Sequence, residues 1–269
     1  MKRVIPTILA AAIGLWLSLA PAAHADMLAD IKAAGKIRVA VAIGVPLFAY
    51  LDDSLKPTGS DIETARLIAE DLGVELELLE ITNAARVPTI QTRKADILVA
   101  NLTITPQRLE VVDFSRPYAT LDIIVAGPKG SNIKSYADLA GKRIGVTRAT
   151  TNDTIITREA PNAEIVRFED DATLITAVAS GQVDYVSTQS AVFVAMNEKR
   201  PGSELEVSFV IQELNLGITL PQGEEAMKAW LDEWIEINYN NGELNAIFSK
   251  FHKRDLPADL LTRDPVSVL

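Results

Sequence analysis

The 269-residue chain contains no cysteine and only two histidines. Without cysteine it can form no disulfide, so its stability has to come from a hydrophobic core, for which its length and 48% hydrophobic content are sufficient. Zinc sites are built mainly from cysteine and histidine, which makes a zinc site improbable here. We therefore expect no metal and no cofactor.

The chain also lacks an apolar run long enough for a membrane helix. An apolar stretch at residues 8–19 follows two basic residues and is shorter than the roughly 20 residues that cross a bilayer. Small residues at positions 23–25 (Ala-His-Ala) then predict a signal peptide, residues 1–25, that is cleaved before Asp26. No cysteine stands at that point to carry a lipid. These features predict a soluble periplasmic protein.

The chain has fewer basic than acidic residues. The chain has 26 Lys and Arg against 36 Asp and Glu, a formal net charge of −10. Removing residues 1–25 takes away two positive charges and no negative one, so the mature chain carries −12. An acidic surface argues against nucleic acid and anionic membranes as partners.

Apolar periodicity predicts a chain that alternates between strands and helices. Such alternation favours a parallel sheet, and its repetition in the second half favours two α/β lobes over one long sheet. We predict strands at residues 36–42, 74–79, 97–102, 121–126, 144–147, 164–168, 183–187, 209–211 and 215–220. We predict helices at residues 27–34, 61–72, 83–93, 172–180, 224–239 and 244–251, and a further helix that opens at 149–153.

Polar side chains follow the predicted strand at residues 97–102. Asn101, Thr103 and Thr105 stand at its carboxyl end, and Arg108 comes five residues after Thr103. Open α/β sheets bind ligands at this edge, and arginine pairs bidentately with a carboxylate. The segment therefore predicts an anion site. The competing interpretation is a plain turn, with Thr105 as the N-cap of a short helix.

Two segments resemble the family-3 solute-binding proteins of ABC importers, the polar amino-acid-binding proteins of the type II periplasmic fold. Residues 101–108 (Asn-Leu-Thr-Ile-Thr-Pro-Gln-Arg) together with 113–118 are a close match. Residues 59–63 (Gly-Ser-Asp-Ile-Glu) resemble the family signature, although Ser60 and Thr64 stand where a large apolar residue is usual. The resemblance extends over essentially the whole mature chain.

The resemblance implies a periplasmic binding protein-like II fold: two Rossmann-like lobes, joined by a two-strand hinge, that close on a ligand. Lobe 1 would comprise residues 26–119 plus 216–269, and lobe 2 residues 120–215. The crossings would lie near 119–121 and 214–217. The implied partners are a small-molecule ligand and a membrane ABC permease, and we expect a monomer.

The resemblance also implies which residues hold the ligand's α-carboxylate. These are Thr103, Arg108 and Asn101 from lobe 1, with Thr150 or Thr151 from lobe 2. The last two have independent physical support, because a helix N-terminus attracts an anion. The alternative is that both threonines serve only as helix caps.

Arg86 bears on which ligand is bound. It matches an arginine that contacts the side-chain carboxylate in aspartate- and glutamate-binding members. A second buried cation favours a dianion, since an unpaired charge in a closed cleft is costly. The alternative is that Arg86 pairs with a neighbouring acidic residue. Arg148, beside the predicted helix start, is a further candidate for the same role.

Gln189 departs from the family pattern, because it stands where members usually carry an aspartate for the α-ammonium. Glutamine accepts a hydrogen bond but supplies no net charge. Either the ligand lacks a free α-ammonium or another carboxylate replaces the missing one. Asp171 matches a pocket position in glutamate-binding members and is our candidate. The alternative is that Asp170 and Asp171 merely cap the following helix.

Aromatic residues are scarce at the positions that relatives use for the cleft. Val45 and Asn83 stand where related proteins often place rings, which leaves Phe48 as the main candidate in lobe 1. Phe48 fits the hydrophobic core equally well.

We predict that the protein is the periplasmic substrate-binding component of an ABC importer for a carboxylate-bearing small molecule, an amino acid and preferably an acidic one. No residue is predicted to be catalytic. The alternative is an enzyme similar to the periplasmic cyclohexadienyl (arogenate/prephenate) dehydratases, which share this fold and need a carboxylic acid at the leaving hydroxyl. Glu63, Asp171 and Glu213 are candidate acids without a catalytic pattern. A sensor that reports to a membrane receptor would use the same pocket.

Overall fold

The computed structural model describes residues 26–267 and residue 269, so the predicted signal peptide lies outside the described residues. Within the described part, no helix is both long and apolar enough to span a membrane. The α-helices are α1 Met27–Ala34, α2 Ser60–Leu72, α3 Arg86–Gln91, α4 Pro106–Leu109, α5 Thr151–Glu159, α6 Asp171–Ala179, α7 Ser190–Glu198, α8 Glu225–Asn240 and α9 Glu243–His252. The strands are β1 Lys36–Ala42, β2 Tyr50–Leu51, β3 Pro57–Thr58, β4 Glu75–Ile81, β5 Ile97–Leu98, β6 Asp113–Pro128, β7 Arg143–Thr147, β8 Glu164–Phe168, β9 Tyr185–Gln189 and β10 Leu205–Leu220.

Eight of these strands form one hydrogen-bonded sheet in the order β4-β1-β5-β10-β6-β9-β7-β8. The outer strands pair in parallel on both sides, as predicted. The prediction of a parallel sheet is wrong at the centre, where β10 runs antiparallel to β5 and β6, and β9 antiparallel to β6. The reason is that β6 and β10 are long strands of opposite direction that carry the chain from one half of the molecule to the other and back.

Buried apolar side chains form separate cores in the two halves. The largest core contains Ile37 and Ile62 together with Ile218 and Leu231 from much later in the chain. Two smaller cores in the other half lie against β6 and β9, and Val178 belongs to one of them. The molecule therefore has two α/β lobes, as predicted, although β6 and β10 join their sheets into one ladder. The predicted crossings fall inside these two strands, and the exact lobe boundaries stay a prediction.

Several local predictions need correction. The strands predicted at residues 209–211 and 215–220 are parts of one strand, β10. The strand predicted at residues 97–102 is only Ile97–Leu98. Beyond it the chain leaves the ladder, and Asn101 adopts a left-handed conformation with φ of 41°. Helix α7 has no counterpart in the sequence prediction; its sequence, Ser-Ala-Val-Phe-Val-Ala-Met-Asn-Glu, has three strand-favouring residues, Val-Phe-Val, at its centre.

Candidate functional site

Eight of the nine predicted ligand-binding residues line one pocket between the lobes, here called the cleft pocket. The cavity itself is narrow, with a volume of about 30 Å³, or about 390 Å³ when space open to solvent is included. The cleft pocket is lined by Asn83, Arg86, Asn101, Thr103, Arg108, Leu121, Thr147, Thr150, Thr151, Asn152, Asp171, Ser187, Thr188 and Gln189.

Arg108 is held from both lobes by backbone carbonyls. Its Nη1 donates to the Thr103 carbonyl at 2.8 Å, and its Nη2 donates to the Ala149 carbonyl at 3.3 Å. Thr105 is the N-cap of α4 and accepts a hydrogen bond from the Arg108 amide at 3.3 Å. The predicted Thr105 cap is therefore observed and Arg108 lines the cleft pocket, while its role as an anion ligand stays a prediction. Burial lowers the pKa of Arg108 to about 9, and the positive charge of Arg86 adds to the effect.

Arg86 is almost fully buried, and its direct partners are neutral. Its Nε donates to the Asn83 carbonyl at 2.9 Å, and its Nη1 donates to the Ala100 carbonyl at 3.2 Å and to Asn101 Oδ1 at 3.1 Å. Burial lowers its pKa to about 10, while the negative charges of Asp171 and other nearby groups oppose that shift. Among the described residues, no carboxylate oxygen lies within 4.0 Å of either guanidinium, so the predicted alternative of an Arg86 ion pair is not observed.

A buried chain of hydrogen bonds supports Asn101 from behind the cleft pocket. The Tyr118 hydroxyl donates to Asp61 Oδ1 at 2.7 Å and accepts from the Asn101 amide at 3.3 Å. Asp61 Oδ2 is buried without a hydrogen-bond partner, and burial raises the pKa of this carboxyl to about 7. Asp61 and Tyr118 lie in the two segments that resemble the family, but their spacing in the sequence gives no sign of this contact.

Thr150 and Thr151 form the lobe 2 wall opposite Arg108. Thr150 is the N-cap of α5: its Oγ1 accepts from the Asp153 amide at 3.3 Å and donates to the Thr147 carbonyl at 2.6 Å. Thr151 is the first residue of the helix and is buried. Thr150 is thus a cap and also lines the cleft pocket, so the positive end of the α5 dipole faces this space.

Asp170 and Asp171 have different roles. Asp170 is the N-cap of α6 and accepts from the Thr173 amide at 2.8 Å. The Asp171 carboxylate instead accepts from the Thr147 hydroxyl and, across the cleft, from Asn83 Nδ2 at 3.2 Å. Burial raises the pKa of Asp171. The helix cap is therefore Asp170, and Asp171 is the one carboxylate that lines the cleft pocket in the described residues.

Gln189 ends β9 and stands at the N-cap of α7, where its side chain makes no capping hydrogen bond. Only 8% of the residue is exposed. Its Oε1 is buried and has no hydrogen-bond partner in the described structure. An unpaired buried acceptor is costly, so Gln189 presents an acceptor that a ligand N–H can satisfy.

Phe48 and Arg148 are the predicted candidates that the cleft pocket does not contain. Phe48 is 1% exposed and packs edge-to-face against the His252 ring at 4.5 Å between centroids, so its alternative interpretation as a core residue describes its position in lobe 1. Arg148 forms an exposed ion pair with Glu169 at 3.1 Å. The lining residues that sequence reasoning did not propose as ligand contacts include Thr147, Ser187 and Thr188. They stand at or near the carboxyl ends of β7 and β9, and the strand-end rule applied to the first lobe points to them equally.

Comparisons of the sequence identify the family. The model for bacterial extracellular solute-binding proteins, family 3, matches residues 37–254. The ABC transporter glutamine-binding protein of Bacillus subtilis is 32% identical over 239 residues, 87% of each chain. The L-glutamate/L-aspartate-binding protein of Pseudomonas aeruginosa is 26% identical over 274 residues, which cover 95% of this chain and 90% of that protein.

Solved structures agree on the fold. A mutant of ArgBP from T. maritima matches with a TM-score of 0.79 and 26% identity, over 85% of this chain and 100% of that one. An ancestral amino acid-binding protein, a precursor of cyclohexadienyl dehydratase, matches with a TM-score of 0.76 and 28% identity, over 83% of this chain and 98% of that one. These structures confirm the predicted two-lobed fold. With the family model spanning most of its length, the chain belongs to the bacterial extracellular solute-binding proteins, family 3.

Proposed function

We propose that this protein is the periplasmic amino-acid-binding component of an ABC importer and that its preferred ligand is an acidic amino acid. Support for the general role comes from the family and from the glutamine- and glutamate/aspartate-binding relatives. The observation that carries the acidic preference is the presence of two guanidinium groups, Arg86 and Arg108, in one pocket without a carboxylate partner. The predicted leader supports a periplasmic location, and delivery would be to a membrane permease.

Each charged group of an acidic amino acid has a matching group in the cleft pocket. Arg108, Thr103 and the start of α5 suit the α-carboxylate. Asp171 suits the α-ammonium, in place of the aspartate that the family carries where Gln189 stands. Arg86 then remains for the side-chain carboxylate.

Charge balance favours the same ligand. With two guanidiniums and the Asp171 carboxylate, the cleft pocket carries a net charge of about +1, which matches the net −1 of glutamate or aspartate. Asp61 lies behind Arg86 and has a pKa of about 7, so its carboxyl is mostly uncharged below neutral pH and neutralises Arg86 increasingly above it. A neutral amino acid would leave one buried guanidinium without a counter-charge.

The test is calorimetric titration of the ligand-free protein with glutamate, aspartate and glutamine, repeated with Arg86→Gln. We expect the variant to lose affinity for glutamate by roughly 30-fold or more, equivalent to about 2 kcal/mol, because a desolvated charge pair is lost. Affinity for glutamine should fall much less. Arg148→Gln is the matched control, since it removes an exposed arginine outside the pocket. Equal losses for glutamate and glutamine, or wild-type protein that binds only neutral or basic ligands, would refute the acidic preference.

A dehydratase is the second candidate, and one observation favours keeping it. Asp171 is a buried carboxyl with a raised pKa in a carboxylate-binding pocket, as a general acid requires. The other two candidate acids lie outside this pocket and form ion pairs: Glu63 with Lys250 at 2.8 Å, and Glu213 with Arg263 at 2.6 Å. Incubation with prephenate and arogenate discriminates the two functions, because a binding protein returns both unchanged.

A further inference from the structure

One buried carboxyl, that of Asp61, lies behind the cleft pocket and makes none of the proposed ligand contacts. The residue is 1% exposed and does not line the cleft pocket. Its Oδ1 accepts from the Tyr118 hydroxyl at 2.7 Å, and its Oδ2 has no hydrogen-bond partner in the described part of the chain. A carboxylate in this position has lost its water and gained a single side-chain hydrogen bond. Its negative charge is therefore poorly compensated, and the neutral form is favoured.

A short path of hydrogen bonds connects Asp61 to the cleft pocket. The Tyr118 hydroxyl, which donates to Asp61, also accepts from the Asn101 amide at 3.3 Å. Asn101 Oδ1 accepts from Arg86 Nη1 at 3.1 Å, and Asn101 and Arg86 both line the cleft pocket. The charges of Asp61 and Arg86 each shift the pKa of the other group. Asp61 therefore acts on a ligand through Arg86, without contact with the ligand itself.

The titratable groups that face Asp61 keep their charge state around neutral pH. Burial raises the pKa of Tyr118 well above its usual range, so the phenol stays protonated. Arg86 stays charged, because burial lowers its pKa only to about 10. His252, whose Nε2 contacts the Ser60 hydroxyl at 3.0 Å, is neutral because burial lowers its pKa to about 4. Within this group, only Asp61 changes its charge near pH 7.

The charge of Asp61 determines the net charge that a ligand meets. When Asp61 is protonated, Arg86 and Arg108 against Asp171 leave about +1, which suits an acidic amino acid. When Asp61 is ionised, the sum of these charges is about zero, which suits a neutral amino acid. Burial also raises the pKa of Asp171, which faces Arg86 from lobe 2. A pH profile of the wild type alone would therefore not separate the two carboxyls, and an Asp61 variant is needed.

We propose that Asp61 is a specificity-determining residue that acts through Arg86: its protonated form favours an acidic amino acid, and its ionised form favours a neutral one. The inference rests on the proposed function and deepens it, because the same pocket then changes its preferred class of ligand with pH. An acidic ligand that pairs with Arg86 opposes the ionisation of Asp61. Binding of glutamate is therefore accompanied by proton uptake near pH 7, and binding of glutamine is not.

The test is calorimetric titration of wild type, Asp61→Asn and Glu70→Gln with glutamate and glutamine at about pH 6 and about pH 8. Asparagine keeps an acceptor for the Tyr118 hydroxyl and imitates the neutral carboxyl. Glu70→Gln is the matched control, since it removes an exposed carboxyl from the same helix, α2. At about pH 7, glutamate is also titrated in phosphate and in Tris. The heats of ionisation of these buffers differ, so the difference in observed heat gives the number of protons taken up.

In wild type and Glu70→Gln, the ratio of glutamate affinity to glutamine affinity should fall between the lower and the higher pH. If bound glutamate raises the pKa of Asp61 by about one unit, the fall is roughly fivefold and the uptake at pH 7 is roughly 0.4 proton. In Asp61→Asn the ratio should change less than twofold, and the proton uptake should be lost.

Tyr118→Phe is a second test that does not depend on Asp61→Asn. It removes the hydrogen bond that stabilises the ionised carboxylate, so Asp61 should stay protonated to higher pH. Glutamate affinity at about pH 8 should then lie closer to its value at pH 6 than in wild type. If wild type binds glutamate with the same pH dependence as Asp61→Asn, or if Tyr118→Phe leaves that dependence unchanged, the role of Asp61 is refuted and the proposed function stands. If wild type binds glutamate at neither pH, the proposed function itself fails.

Discussion

At the scale of single residues, the sequence predicted which residues line the cleft better than it predicted the hydrogen bonds among them. Arg108, Thr103 and Asn101 could be placed because they follow a buried strand and match a known motif. The contact between Asp61 and Tyr118 could not be placed, because the two residues are 57 positions apart and meet only when β6 crosses behind the site. Phe48 could not be assigned either, since a phenylalanine suits a cleft and a core equally.

Asp61 predicts a pH dependence of stability. Burial raises the pKa of Asp61 to about 7 in the folded protein from an ordinary value of 3.8, so between these values the folded state binds a proton that the unfolded state has released. The contribution of Asp61 to stability is therefore full below about pH 4, falls as the pH rises toward 7, and is constant above that. Asp61→Asn removes this titration.

The measurement is urea unfolding of wild type and Asp61→Asn from pH 4 to 8. As the pH rises, the free energy of unfolding of the variant should increase relative to that of wild type, by up to roughly 4 kcal/mol in total. If the stabilities of wild type and variant instead change by the same amount across this range, Asp61 is already ionised in the folded protein. Glu77→Gln, at an exposed position on β4, is a control for general charge effects.

At the scale of elements, the helices were predicted closely where a cap and a glycine mark their ends. Helix α1 starts after the Asp26 cap and ends at Gly35 with φ of 68°, as the sequence indicates. Strand β5 was predicted four residues too long and helix α7 was not predicted, each for a tertiary reason. The ladder next to β5 is taken by β10, which comes more than 100 residues later, and α7 is a helix because its apolar face packs on the second-lobe core.

The start of helix α6 separates capping from binding. Asp170→Ala removes the cap and should lower stability by about 1 kcal/mol, while ligand affinity stays within twofold. Asp171→Asn leaves that cap intact and should weaken ligands with a free α-ammonium at least tenfold, because the only carboxylate that the described cleft pocket offers is lost. Thermal unfolding and calorimetry of the two variants measure both quantities. A large affinity loss in Asp170→Ala, with none in Asp171→Asn, would reverse the assignment.

At the scale of the whole molecule, the two lobes are in direct contact across the cleft. Asn83 donates to Asp171 and Arg108 donates to the Ala149 carbonyl, each pair with one residue from either side. Sequence reasoning predicted two lobes and the residues of both walls, but no pattern in the sequence tells how far they close. Closure depends on the balance of such contacts against solvation, which a linear sequence does not display.

Asn83→Ala should shift this balance toward an open form. Loss of one cross-cleft hydrogen bond, worth about 1 kcal/mol, changes the ratio of closed to open molecules roughly fivefold. Small-angle scattering should therefore give the ligand-free variant a larger radius of gyration than wild type, and a saturating ligand should remove the difference. Asn241→Ala, which removes a hydrogen bond to Asn238 near the end of α8, is the control and should leave the radius unchanged. An Asn83→Ala profile that superposes on that of wild type without ligand would exclude a role in closure.

The path of the chain through its cores also bears on how the protein folds. The core that contains Ile37 and Ile62 is completed by Ile218 and Leu231, whereas the cores beside β9 draw only on residues that lie between these two sets. During synthesis from the N-terminus, the intervening lobe can be assembled first. Residues at the start of the chain complete their core only when residues near its end are available. Lobe 1, although its sequence starts first, is therefore the last lobe to become stable.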